Sequence, residues 1–273
     1  MTYKFDDFYM KNLTLSITLR CTLKCRLCSV SAPYFSDPPH FSLDELKESI
    51  DAYFIVVPFV KHITITGGEP LVHQQIHKIV DYLIDNYSNR IQEMEIITNG
   101  TIEPNKELLQ ACSRFSNLYW MIDDYGHELS NKVRCVEEKL QKNGIKFKTR
   151  IYYGKESYYG GWVNFGDLKK KLFTQIEIEE RFSKCAFPQK MNFCFSLSGG
   201  KLYPCQKQRV CIQMGVISEN PNECINLLDT SISIQEKRDR IKAIQNSKSL
   251  SACAYCNGFN DDSERFIPAE QLQ

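Results

Sequence analysis

The chain reads as an α/β protein: strand–helix units repeat to build a parallel sheet curved into a partial barrel, and a smaller cysteine-laden segment follows. Three observations predict this. Apolar residues switch between period two and a helical period through the first 150 residues, and repeated strand–helix units join by right-handed crossovers into a parallel sheet. Gly67-Gly68 and Asn99-Gly100 stand where strands should stop. After about residue 180 the alternation gives way, and seven of the twelve cysteines lie beyond residue 184.

Leu13, Leu15, Ile17 and Leu19 alternate with polar residues and predict the first strand. Ser42 and Glu45 form a capping box opening a helix through about Tyr53. Residues 62–66 read as the second strand, and Ile76, Ile79, Val80 and Leu83 mark one face of the helix after it. Residues 94–98 are the third strand, and a short helix around Leu108 and Leu109 leads to a fourth at 118–122. Leu129, Val133, Val136 and Leu140 give a helical stripe closed by Gly144, and a fifth strand runs from 145 to about 153. A sixth is expected within 162–178, which would complete a partial (β/α)6 TIM-like barrel with its chemistry at the C-terminal strand ends.

Residues 1–180 are read as that core and 181–273 as a second domain. There, residues 193–205 look like a hairpin turning at Gly199-Gly200, and Ser233 with Glu236 caps a basic helix through about Gln245. A segment so small and so rich in cysteine is expected to lean on a metal site more than on an apolar core.

With 42% hydrophobic and 25% charged residues the composition is that of a soluble globular protein. A net charge of +1 offers no bulk field for nucleic acid or an anionic membrane. Residues 1–11 lack an apolar signal core, and nowhere do some twenty apolar residues run together. The reading is a cytoplasmic protein, in which twelve cysteines point to metal or catalysis and not to disulfides.

Cys21-Thr-Leu-Lys-Cys25-Arg-Leu-Cys28 follows the first strand directly. Three thiolates in eight residues of loop suit a cubane with one iron left open for an external molecule. The plainer alternative is zinc with a fourth ligand such as His40. About forty residues on, Thr66-Gly67-Gly68-Glu69-Pro70 ends the second strand, where paired glycines let backbone approach a ligand and Glu69 offers a carboxylate for an ammonium.

The CxxxCxxC and GGEP motifs, in this order and at these strand ends, resemble the radical S-adenosylmethionine (SAM) superfamily over roughly residues 12–155. The resemblance implies a 4Fe-4S cluster on Cys21, Cys25 and Cys28, SAM chelating the open iron, and Gly67, Gly68, Glu69 and Pro70 against the methionyl group. It also places Thr98, Asn99 and Gly100, with Asp123 and Asp124, at weaker ribose- and substrate-facing positions. One departure is Leu27, where the family usually has an aromatic residue. The implied chemistry is reductive cleavage of SAM to a 5′-deoxyadenosyl radical that abstracts hydrogen from substrate, with the electron from a flavodoxin- or ferredoxin-type donor.

Cys185, Cys205 and the pair Cys253-Ala-Tyr-Cys256 make a second set of four, enough for a cubane or for zinc. Beside the first motif this set resembles the twitch domain, the short relative of the SPASM domain, and implies one auxiliary 4Fe-4S cluster. Cys194, Cys211 and Cys224 are surplus, and Cys194 or Cys211 could replace Cys185; Cys112 and Cys135 read as small core residues.

His73 and His77, four apart, read as solvated helix residues, and Lys169-Lys170-Lys171 as a solvated helix face. Tyr152, Tyr153, Tyr158 and Tyr159 suit either a substrate pocket or barrel packing. Arg150 falls on the lumen face of the fifth strand and is the candidate catalytic side chain, with a structural ion pair as its alternative. Length and cysteine spacing look most like the 2-deoxy-scyllo-inosamine dehydrogenases, implying a small polar substrate oxidised at a secondary alcohol, or epimerised. Modification of a ribosomal peptide is the alternative, disfavoured because only twenty residues precede Cys21; a non-catalytic iron–sulfur or zinc protein is the third.

Overall fold

The computed structural model describes residues 8–273; of the stretch read as free of a signal core, residues 1–7 lie outside them. The first half alternates as its periodicity requires: β1 (Met10–Thr18), α1 (Leu43–Val56), β2 (Val60–Gly67), α2 (Ile76–Tyr87), β3 (Ile91–Thr98), α3 (Lys106–Ser113), β4 (Leu118–Asp124), α4 (Val133–Lys142) and β5 (Lys146–Ile151). There follow β6 (Trp162–Val163), α5 (Gln175–Lys184), α6 (Ala186–Gln189), β7 (Phe195–Ser198), β8 (Lys201–Tyr203), α7 (Gln206–Gln213), β9 (Ile225–Asn226), α8 (Ile234–Gln245) and β10 (Arg265–Phe266).

Eight strands form one sheet in the order β5-β4-β3-β2-β1-β7-β8-β9. Every pairing from β5 to β7 is parallel, and β8 and β9 add antiparallel edges. β1 lies between β2 and β7, and from Leu13 to Thr18 every residue is buried, as expected of a central strand covered on both faces. The outer face packs on the helices through Leu15, Ile17, Ile63, Ile65, Met94, Ile96 and Trp120. The capping box of α1 closes reciprocally: Ser42 Oγ accepts from the Glu45 amide, and Glu45 Oε2 accepts from the Ser42 amide at 2.7 Å.

Several expectations are corrected. The one strand within residues 162–178 is the two-residue β6, paired antiparallel with β10 and not with the main sheet. The sixth parallel strand is instead β7, the first arm of the hairpin, which joins β1 at Leu13–Phe195 and Leu15–Leu197. That partner is some 180 residues away in sequence, so local pattern could not reveal it. Leu129 precedes α4, which begins at Val133. Lys169, Lys170 and Lys171 lie in irregular chain, where Lys171 pairs with Asp167 at 2.8 Å. The hairpin does turn at Gly199 and Gly200, whose φ of 56° and 71° are the two positive values a tight twisted turn requires. Among the described residues no helix is long and apolar enough to cross a membrane.

Candidate active site

The C-terminal ends of β1 and β2 are locked together by backbone alone. Gly68 N donates to Thr18 O at 2.8 Å and Glu69 N donates to Arg20 O at 2.9 Å. A Cβ on Gly67 would stand 1.8 Å from Thr18 O, and one on Gly68 would stand 2.3 Å from Arg20 O. Only glycine permits this approach, and it fixes the residues from which the 21–28 loop departs.

On that loop Cys21, Cys25 and Cys28 line one cavity of about 400 Å³ at the mouth of the strands. None is in a disulfide. Burial pushes the Cys21 thiol up to about 11 and Cys25 to about 12, and each feels the charge of its neighbours. Three thiols on one cavity, Cys25 buried and Cys21 and Cys28 half-buried, are costly as free anions and suited to a shared cation centre, so the donor set fits a cubane with one open iron. Side chains brace two of the sulfurs. Asn99 Nδ2 donates to Cys21 Sγ at 3.6 Å and to Thr22 Oγ1 at 3.1 Å. Gln271 Nε2 donates to Cys25 Sγ at 3.4 Å from the C-terminal segment, which also accepts Arg26 N on Glu270 O. Such donors to ligand sulfurs orient them and tune the centre.

The motif residues divide between wall and support. Gly67, Gly68, Asn99 and Asp123 line the cavity; Glu69, Pro70 and Thr98 do not. Glu69 is fully buried behind the wall, where its carboxylate accepts from Leu71 N (3.0 Å), Thr98 Oγ1 (3.0 Å) and Asn99 N (2.8 Å). It thereby ties the end of β2 to the end of β3 and holds the Asn99 backbone. Burial raises its carboxyl to about 7 against these three hydrogen bonds.

Arg150 lies in the lumen, as its strand phase requires, and faces Asp123 as a fork: Nε to Oδ1 at 2.6 Å and Nη2 to Oδ2 at 2.8 Å. Both line the cavity. The catalytic candidate and the candidate binding carboxylate are thus one ion pair, with burial raising the Asp123 carboxyl and Arg150 opposing that shift. Asp124 instead turns back on its own loop, accepting from Gly126 N at 2.9 Å. Tyr152 and Tyr159 form part of the wall, with Tyr125 and Trp162. Tyr153 is half exposed and outside the cavity. Sequence reasoning missed Tyr125, Trp162, Gln206, Arg265 and Cys194 as wall residues. Cys194 sits beside Thr14 Oγ1 at 3.3 Å in the lumen rather than with the second cysteine set. Strand alternation would have flagged Thr14 and Thr64, since lumen positions recur every second residue.

Cys185, Cys205, Cys253 and Cys256 line a second, smaller cavity together. Phe165 and Phe259 stand between the two, forming wall to both. Burial raises all four thiols, and Cys205 feels the charges of Cys253, Cys256 and Cys185. Cys205 also caps α7, its Sγ accepting from Gln208 N at 3.4 Å. Among the described residues no three His, Cys, Asp or Glu side chains converge on a single point as one metal ion requires.

The histidines are structural. His73 is buried, hydrogen-bonds Phe41 O through Nε2 at 2.9 Å and stacks on His40 at 4.8 Å between centroids. The solvated reading of His73 is therefore corrected: it precedes α2 and is buried against Phe41 and His40. Cys112 is a buried core residue on α3 and Cys135 is half-buried on α4.

Comparison with known proteins gives a family model, described as the Radical SAM superfamily, that matches residues 15–157. A GTP 3',8-cyclase of Campylobacter lari is 27% identical over 187 residues, 62% of this chain and 56% of that protein. The chain spans about half the length of the curated relatives it matches, or less. Among solved structures, BtrN in complex with AdoMet and 2-DOIA superposes with a TM-score of 0.57 at 14% identity, over 97% of this chain and 98% of that one. Native anSMEcpe with bound AdoMet gives 0.55 at 13% identity, over 95% of this chain and 93% of that one. At these identities the likeness concerns the fold.

Proposed function

This chain belongs to the radical SAM superfamily, and from that premise we propose that it oxidises, or epimerises, a secondary alcohol of a small polar molecule of sugar or aminocyclitol type. The observation that carries the proposal is the pair of adjoining cavities: three thiols open the larger, four thiols line the smaller, and two phenylalanines separate them. When bound, a 4Fe-4S cluster on Cys21, Cys25 and Cys28 together with SAM supplies a 5′-deoxyadenosyl radical able to abstract hydrogen from an unactivated carbon. Gly67 and Gly68 supply cavity wall against which the methionyl group would lie, and Asn99 orients the cysteine loop. Asp123, held by the Arg150 fork, presents a carboxylate to the cavity that suits uptake of a hydroxyl proton. Arg150 is then a positioning residue, while Tyr125, Tyr152 and Trp162 exclude water.

The four-thiol set suits an auxiliary 4Fe-4S cluster, fully ligated by Cys185, Cys205, Cys253 and Cys256, in a twitch-type domain within residues 181–273. A second cluster beside the substrate cavity would accept the electron that dehydrogenation releases. BtrN, crystallised with AdoMet and 2-DOIA, supports a small-molecule substrate. The second reading, a peptide substrate, has its support in anSMEcpe with bound AdoMet and the Kp18Cys peptide, TM-score 0.53.

The test follows 5′-deoxyadenosine and product together in Cys253→Ala/Cys256→Ala protein. Slow SAM cleavage with collapsed product is expected. Both persisting at the wild-type ratio would leave the second set merely structural and favour a redox-neutral outcome.

A further inference from the structure

Helix α7 is made of buried polar side chains. Gln206, Lys207, Gln208 and Arg209 are each at most 9% exposed, and Arg209 is wholly enclosed. The helix starts at Cys205 and drives between the two cysteine sites: Gln206 lines the larger cavity and Lys207 the smaller. Neighbouring partners hold Lys207 and Gln208. Gln208 donates to Glu223 at 2.8 Å and accepts from Ala252 N, and Lys207 donates to Gly166 O.

Arg209 is different. Its Nε and Nη1 donate to the neutral amides of Gln206 (3.0 Å) and Gln213 (2.9 Å), and Nη2 has no hydrogen-bond partner among the described residues. Among the described residues no carboxylate pairs with it. The groups whose charge reaches it are Tyr203 on β8, Cys28 of the first cysteine set and Cys205 of the second. A buried guanidinium without an anion is unfavourable, because desolvation is not repaid by a partner charge. Here burial presses it down to about 10, far below a free arginine and still charged at neutral pH. Such a residue persists where an anion completes it, and its place, one turn beyond Cys205 on α7 and bonded to Gln206 of the larger cavity's wall, sets it beside both cysteine sites.

We propose that Arg209 is the shared buried counter-charge of the two cysteine sites, stabilising the bound, anionic form of both centres from between them. The inference rests on the two-cluster reading above. A cation held in a dry interior favours the more negative, reduced form of a neighbouring cluster and raises its midpoint potential. It also couples charge balance to cluster binding, because the guanidinium is compensated only when the thiolates are loaded.

The experiment compares anaerobically reconstituted wild type with Arg209→Met, which keeps volume and removes charge, and with Arg209→Lys, which keeps charge. Iron is counted first: about four per wild-type chain instead of about eight overturns the two-cluster reading and this inference with it. With both clusters present, EPR-monitored redox titration of Arg209→Met should lower both midpoints. The reduced-to-oxidised ratio at fixed potential should fall about tenfold, or about 59 mV for a one-electron couple. Arg209→Lys should stay near wild type. Reconstitution should also raise the melting temperature of wild type by more than that of Arg209→Met, since a merely structural residue would shift loaded and unloaded protein alike. If Arg209→Met does not fold, Arg209→Gln replaces it, retaining hydrogen bonds without the charge. Unmoved midpoints in a variant holding both clusters overturn the inference alone, as does an equal gain in melting temperature.

Discussion

Glu69 receives three hydrogen bonds and no cation, and burial, the largest influence on it, raises its carboxyl to about 7. The sign of the pH dependence follows. A carboxyl whose folded pKa lies above its unfolded value contributes stability in full below the unfolded value, near 4.5, and loses it as pH climbs through about 7. Protein free of SAM should therefore lose stability between about pH 5 and pH 8 on account of this residue. Glu69→Gln should flatten that part of the curve, which urea unfolding at a series of pH values would reveal. An unchanged slope in the variant would mean that the carboxyl is already ionised throughout. The sequence offered Glu69 as a carboxylate for an ammonium, whereas the fold turns it behind the wall to hold the Asn99 backbone. Arg150 was placed in the lumen by strand phase alone, yet its union with Asp123 depends on β4 and β5 pairing in one register, Asp123 opposite Arg150.

At the scale of elements, the junction of β1 and β2 governs the site. Gly68→Ala would force a Cβ within 2.3 Å of Arg20 O, which is backbone and cannot swing away. The strand ends must part, and overpacking of this kind destabilises by about 1–3 kcal/mol. The expected outcome is a folded protein with that loss in denaturant unfolding, poor retention of the first cluster and weakened SAM binding. Full SAM affinity in Gly68→Ala would show that the contact is slack. Elements such as α1, α2 and α8 were legible because capping residues and apolar spacing are local signals: Ser42–Glu45 and Ser233–Glu236 opened the helices they marked. β7 was seen as a hairpin arm but not as the sixth parallel strand, because its register against β1 is decided by tertiary contact. The C-terminal segment was illegible for the same reason. Nothing in Glu270-Gln271-Leu272 announces that it pairs with residues 24–26 and donates to Cys25. Arg209 carried no signal either, since a basic residue on a polar helix reads as solvated until the fold buries it.

For the whole molecule, the parallel strands bring two cysteine sets that lie more than 150 residues apart in sequence to adjoining cavities, with α7 between them. The hairpin that carries Cys205 belongs to the same sheet as the strand that leads into Cys21, so the two sites are set on one rigid scaffold. The account as a whole depends on what the first set holds. Anaerobically reconstituted protein in which Cys21, Cys25 and Cys28 are all changed to Ala should lose about half its iron, keep the remainder on the second set, and form no 5′-deoxyadenosine from SAM under reducing conditions. Wild-type protein assayed beside it should cleave SAM. Retained SAM cleavage in the triple variant would contradict the central claim outright.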